Sequence, residues 1–231
     1  MQGRSAVLCL AMLLLVTSAR AEETKTPAGE NQAESRPNRL QAVGELDVRL
    51  MLETDILLAF VNGGVGADLG LLELGPGVLA VGGEVEVGAC VTVCLGLNLL
   101  TGWKFSNMFY APHARVTYHF MPSSSRGLEN VDLYGLVFGG ITYTTTSVSG
   151  SSANAPFEYK GSDVGPSLGA GVGGKYFFKD NNFFVGAEGR ARWSAGQYDY
   201  SVQVGNVTLS DTQSSWSLSG VNVQLFAGLR L

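Results

Sequence analysis

Charged side chains are scarce in this sequence. They make up 15% of its 231 residues, where a soluble protein carries about a quarter. The net charge is −5, and basic residues neither cluster nor interleave with aromatic ones, which argues against nucleic acid as a partner. Cysteine is scarcer still, limited to Cys9, Cys90 and Cys94. No second Cys/His pair accompanies the last two, so a closed four-ligand zinc site is excluded, and neither metal nor cofactor is expected. Glycine, by contrast, is plentiful at 31 residues, roughly twice its usual share. It follows no Gly-X-Y period, so collagen is excluded as well.

The first 21 residues read as an export signal: an early Arg4, an apolar run from Ala6 to Val16, and the small-residue site Ala19-Arg20-Ala21. That run is too short for a transmembrane helix. Cleavage is expected after Ala21. Residues 22–44 then form a polar leader with Pro27 and Pro37, of disordered composition, and 45–231 remain for the folded domain. In an exported chain Cys90 and Cys94 sit where disulfides form. On a straight strand they would lie about 13 Å apart, beyond bonding reach. Either the chain curls between them and a bridge pins a loop, or two thiols stay unbridged.

Residues 45–60, ELDVRLMLETDILLAF, alternate. Leu46, Val48, Leu50, Leu52, Ile56, Leu58 and Phe60 share one face; Glu45, Asp47, Arg49, Glu53 and Asp55 share the other. The same period of two recurs at 79–89, 113–120, 183–195 and 221–231, which is the period of strands. Turn residues divide the chain into eight strands, near 45–61, 64–74, 78–90, 107–121, 130–145, 164–178, 183–196 and 214–231. Asn62-Gly63-Gly64, Gly75-Pro76-Gly77, the stretch 122–130 and Lys179-Asp180-Asn181-Asn182 are the expected short turns. Alternation continues from Val85 to Leu99, so the third strand could run longer.

The connections sort by side. The turns after strands two, four and six are short, whereas those after three, five and seven are long and rich in Ser, Thr, Gly and Asn, near 91–107, 146–163 and 197–213. Such asymmetry with an even strand count fits a transmembrane β-barrel. Aromatic residues agree. Tyr118, Phe120, Tyr176, Phe178 and Phe183 fall near the short-turn ends, and Trp103, Tyr143, Trp193 and Trp216 near the long-loop ends. From Phe183 to Trp193 the rise is roughly 25 Å at the usual tilt, the spacing of two aromatic girdles. Trp216 lies one residue out of phase with the last strand, so a bulge near Gly220 is expected to turn it outward.

With these features the chain resembles the small outer-membrane β-barrels of Gram-negative bacteria, the eight-stranded OmpA/OmpX-like class, over residues 45–231. The terminal strand carries the best motif: Val223, Leu225, Ala227, Leu229 and Leu231 look like the signal read by the barrel assembly machinery. Leu231 departs from the Phe with which that family usually ends. The resemblance implies an eight-stranded antiparallel up-and-down barrel in the outer membrane, touching lipid and lipopolysaccharide, and monomeric.

A barrel of eight strands is just wide enough for its side chains to fill it. The inward register gathers Glu45, Asp47, Glu53, Asp55, Asp68, Glu84, Glu86, Asp132 and Glu188 with Arg49, Arg115, Lys175, Arg190, Arg192 and Arg230. Near-balanced signs favour a plug of ion pairs. His113 and His119 also face inward. Neither has a Ser two residues on, and about 20 Å of strand separates them, which speaks against a hydrolase pair and a shared metal. In the run 165–174, Gly165, Gly169, Gly171 and Gly173 relieve crowding and form no phosphate loop, since no Lys-Ser/Thr follows. Asn206-Val207-Thr208 matches a glycosylation acceptor only by chance. The expected role is structural or surface interaction, without enzymatic activity. A narrow channel, a lipid-modifying enzyme and a soluble lipid-binding barrel are the rivals.

Overall fold

A computed structural model describes residues 41–55, 59–120, 130–152, 155–178, 182–204 and 207–231. The expected signal and most of the leader, the stretch 121–129, Lys179 to Asn181 and Asn206 lie outside the described residues. In chain order the elements are β1 (Leu46–Asp55), β2 (Phe60–Leu74), β3 (Gly77–Cys90), α1 (Thr92–Thr101), β4 (Lys104–Phe120), β5 (Val131–Ser152), β6 (Ala155–Phe177), β7 (Phe183–Val204), β8 (Val207–Ser217) and β9 (Gly220–Arg230).

Every pairing is antiparallel, from β1–β2 through β6–β7. The inner half of β7 then pairs with β9, and β9 pairs back to β1, which closes the ring. β8 pairs with the outer half of β7 only. β8 and β9 are therefore one stave interrupted at Leu218-Ser219, and the ring has eight staves. Closure leaves the ring without an open sheet edge, so neighbouring staves pair each other's backbone, which is the condition for crossing hydrocarbon.

The two faces of β1 separate sharply. Val48, Leu50 and Leu52 are 40%, 69% and 58% exposed, whereas Asp47, Arg49 and Glu53 are each 2% exposed. Val223, Leu225 and Leu229 of β9 also face out. Leu231 exchanges backbone hydrogen bonds with Leu46, N to O, at 2.8 and 3.1 Å. This is an apolar exterior around a charged interior, the reverse of a soluble lipid-binding barrel.

Several boundaries differ from the sequence reading, each for a physical reason. β1 ends at Asp55, whose carboxylate accepts from the amides of Ala59 and Phe60 at 2.8 and 3.1 Å, and Ile56 and Leu58 lie outside the described residues. Asn62-Gly63-Gly64 is not a turn but part of β2, opposite Glu53, Leu52 and Met51. Gly64 is needed there for space, because a Cβ would meet the Val85 carbonyl at 2.4 Å and Met51 Cε at 2.8 Å. The stretches 146–163 and 197–213 are not irregular loops. β5 and β6 stay paired to Ser152–Ala155, and β7 and β8 to Val204–Val207. Beyond the membrane neither face of a strand meets lipid, so Thr and Ser carry the ladder without apolar alternation. The remaining long connection, between β3 and β4, contains α1 rather than a longer β3. The barrel end also begins earlier than Glu45: Gln41 is buried and donates to the carbonyls of Asp68 and Glu45 at 2.9 and 3.0 Å.

Candidate functional site: the charged barrel interior

Because side chains alternate along each strand, one register decides which residues fill the barrel. Among the described residues, Asp47, Arg49, Glu53, Asp68, Glu84, Glu86, Arg115, Asp132, Lys175, Glu188, Arg190, Arg192 and Arg230 are all buried. Glu45 and Asp55 are only half-buried. They sit at the two rims, Glu45 accepting from the Ala42 amide at 2.7 Å and Asp55 closing the first hairpin.

The charges form two ion-pair networks stacked along the barrel, bridged by Tyr134, whose ring lies 5.1 Å from Lys175 Nζ and whose hydroxyl bonds Glu188. At the short-turn end Asp47 holds Lys175 at 2.6 Å and Arg230 at 2.7 Å. Arg230 also reaches Asp132 at 3.1 Å, and His119 Nδ1 lies 2.8 Å from the same carboxyl group. In the middle, Arg49 bonds Asp68 and Glu84, each at 2.9 Å, while Arg115 bonds Glu84 at 3.0 Å and Glu188 at 2.9 Å. Arg190 is the hub. Its guanidinium meets Glu188 at 2.5 Å, Glu84 at 2.8 Å, Glu86 at 2.9 Å and Glu53 at 3.3 Å, and donates to Gln224 at 2.9 Å. Arg192 closes the hairpin end of the stack on Glu86, with Glu53 at 3.2 Å. The planar guanidinium of Arg190 spreads five donors over four carboxylates and Gln224 at once, more partners than the three donors of a lysine ammonium could serve.

Rings seal the spaces between the charges. Tyr134, Phe138, Phe177, Phe184 and Phe226 form a buried cluster with Met51 and Leu136. The Tyr134 hydroxyl donates to Glu188 at 2.5 Å, and Arg230 lies 4.2 Å from the Phe177 ring centroid, within cation–π range. Inward glycines make room for these rings. A Cβ at Gly169 would fall 2.2 Å from Phe138 Cζ, one at Gly173 2.7 Å from Tyr134 Cζ, and one at Gly186 2.3 Å from Phe226 Cζ. Above Arg192 a small cavity of about 120 Å³, lined by Asp55, Phe60, Asn62, Phe109 and Asn222 among others, opens at the hairpin end.

His113 has a partner the sequence reading does not foresee: its Nε2 lies 2.9 Å from Ser167 Oγ, and its Nδ1 3.6 Å from Glu84 Oε1. All three are buried and inward, walled off from the lipid face where an acyl substrate would lie. Ser167 is 54 residues away in sequence, so local spacing carries no sign of the contact. Glu84, Glu86 and His113 also offer ligand atoms within 4.8 Å of one another. Arg190 Nη1 already bonds the Oε1 atoms of both glutamates at 2.9 Å, so a guanidinium supplies the positive charge a metal would bring.

The aromatic positions divide. Phe120, Tyr176, Phe178 and Phe183 at the short-turn end, and Tyr143, Trp193 and Trp103 at the other, are 38–50% exposed. Tyr118 is less exposed and donates to the Leu74 carbonyl at 2.9 Å. Tyr110, absent from the sequence reading, joins the hairpin-end group at 44% exposure. Trp216 departs from it. The interruption at Leu218-Ser219 leaves the phase unchanged, so Trp216 faces inward like Asn222 and Gln224. It is 8% exposed, and its indole N–H donates to Asp163 at 2.7 Å. That bond lets the ring be buried without stranding its donor. The Cys90–Cys94 pair is a disulfide with its Cα atoms 5.7 Å apart. One turn of α1 provides the curl that a straight strand lacks.

No protein-family model and no curated protein matches the chain. Solved structures do. A major outer-membrane protein of Thermus thermophilus aligns at a TM-score of 0.50 and 13% identity, covering 81% of this chain and 99% of that one. The outer-membrane protease OmpT of Escherichia coli aligns at 0.52 and 11%, covering 74% of this chain and 63% of that one. The N-terminal β-barrel domain of Pseudomonas aeruginosa OprF aligns at 0.42 and 13%, covering 82% and 98%. The chain has the fold of the small outer-membrane β-barrels. At such identities the likeness fixes the fold alone, so the work of this barrel has to be read from its own residues.

Proposed function

We propose that this protein is an exported outer-membrane barrel, freed of its signal after Ala21 and inserted by the barrel assembly machinery. In this reading it is a monomer in contact with lipopolysaccharide, and its interior is a solid ion-paired plug. Its work is structural and interactive: it stabilises the envelope and presents the long β5–β6 and β7–β8 hairpins at the cell surface. The observation that carries this reading is Arg190, clasped by Glu53, Glu84, Glu86 and Glu188 across the full width of the barrel. A permanent aqueous path needs room that these side chains occupy. Conductance in planar bilayers tests it. The purified protein is expected to give no steady openings in moderate salt. Steady openings that respond to Glu84→Gln or Arg190→Gln would establish the channel reading instead.

A further inference from the structure

The lipid-facing band of β3 and β4 runs up to the rungs where Val87 pairs with Tyr110 and Ala89 with Met108. Val87, Tyr110 and Met108 are 49%, 44% and 48% exposed. α1 begins three residues after Ala89, at the rim of that band. No charged residue occurs between Glu86 and Lys104.

Within α1, Cys94 is buried, and Asn98 turns toward β4, where its Oδ1 accepts from the Phe105 amide at 2.5 Å. The remaining arc is aliphatic. Val93, Leu95, Leu99 and Leu100 are 51%, 56%, 78% and 85% exposed, with only Thr92 and Gly96 among them. At 3.6 residues per turn these four side chains fill the sector opposite Cys94 and Asn98. With Val93, Leu95, Leu99 and Leu100 each more than half exposed among the described residues, a helix face this apolar belongs in lipid, not in water.

The helix is also weak on its own. It has ten residues, no side-chain hydrogen bond at its N-cap, no acid in its first turn and no base in its last. Isolated helices shorter than about 12–15 residues are marginal in water. What holds it is the Cys90–Cys94 bridge in its first turn, the Asn98 contact, and its surroundings. Trp103, an aromatic of the kind favoured at a water–lipid boundary, follows directly and packs edge-on against Phe157 at 4.9 Å.

We propose that α1 is a lipid-interface helix. Its outer face lies at the boundary between headgroups and acyl chains of the leaflet on the hairpin side. It widens the apolar collar of the barrel on the β3–β4 flank. The inference rests on the transmembrane barrel and is independent of the plug.

The test uses the full mature chain, disulfide intact, with a single added cysteine at Leu99→Cys or Leu100→Cys carrying the fluorophore NBD. Val48→Cys serves as the membrane reference. Each variant is reconstituted in vesicles of brominated phosphatidylcholine or of the unbrominated lipid, after faster gel migration of the unboiled sample has confirmed folding. Labels at Leu99 and Leu100 are expected to be quenched by bromine at least half as strongly as the label at Val48, and to resist aqueous iodide. Strong iodide quenching at both positions, with Val48 still in lipid, would place α1 in water and overturn the proposal while leaving the barrel intact. Shielding from both quenchers would mean that α1 is covered by a second copy of the chain, and would overturn it equally.

Discussion

The heaviest burden on a single side chain falls on Arg190. Buried ion pairs gain little over a well-packed apolar replacement, but removing one partner leaves charges stranded in low dielectric. Arg190→Ala strands parts of four carboxylates and should destabilise the barrel by about 3–5 kcal/mol, read as a lower urea midpoint for unfolding in detergent micelles. Lys160→Ala supplies the contrast. Its pair with Glu158 measures 2.8 Å, but the two side chains are 61% and 43% exposed, so the loss should stay under about 1 kcal/mol. Equal effects for the two variants would contradict the plug. Glycines are tested in the same way. Gly186→Val drives a methyl into Phe226 and should block refolding, whereas Gly189→Ala, with no atom within 4 Å of its added Cβ, should refold like the parent protein. Recovery of the heat-modifiable band measures both. The inward charges were legible in the sequence because alternation names them one by one. Their partners were not, because Glu84 and Arg190 are 106 residues apart and meet only once the ring closes. The same limit hid Ser167 beside His113.

Among the elements, those inside the membrane were the readable ones. Lipid on one side and charge on the other impose a period of two on β1, β4, β7 and β9, and that period survives in the sequence. Outside the membrane the constraint lapses. The outer halves of β5 to β8 are strands made of Thr, Ser, Tyr and Gly, and polarity alone reads them as loops. α1 misleads in the opposite direction. Residues 91–99 alternate apolar and small or polar side chains as a strand does, yet the chain curls. The disulfide settles it, since bonded cysteines four residues apart fit a helical turn and not extended backbone. Replacing both, Cys90→Ser with Cys94→Ser, should leave barrel migration on gels unchanged but speed amide hydrogen exchange across 92–101 at least tenfold. An unchanged exchange rate would show that β4 and lipid hold α1 without the bridge.

For the molecule as a whole, the central claim is about inside and outside: hydrocarbon meets the apolar face of each stave, and the ionic face is sealed within a closed ring. Even the tryptophan misplaced by the sequence reading conforms, since Trp216 follows the parity of its strand rather than the preference of its ring. Sidedness can be measured directly with nitroxide labels at Val48, Val185 and Leu225 on the outer face and at Asn222 and Gln224 on the inner, in protein reconstituted into vesicles. Collisions with membrane-dissolved oxygen should be frequent at the first three positions. At Asn222 and Gln224, neutral sites whose labelling removes no cation from the stack, they should be rare. Oxygen contact at Gln224 matching that at its neighbour Leu225 would contradict the account.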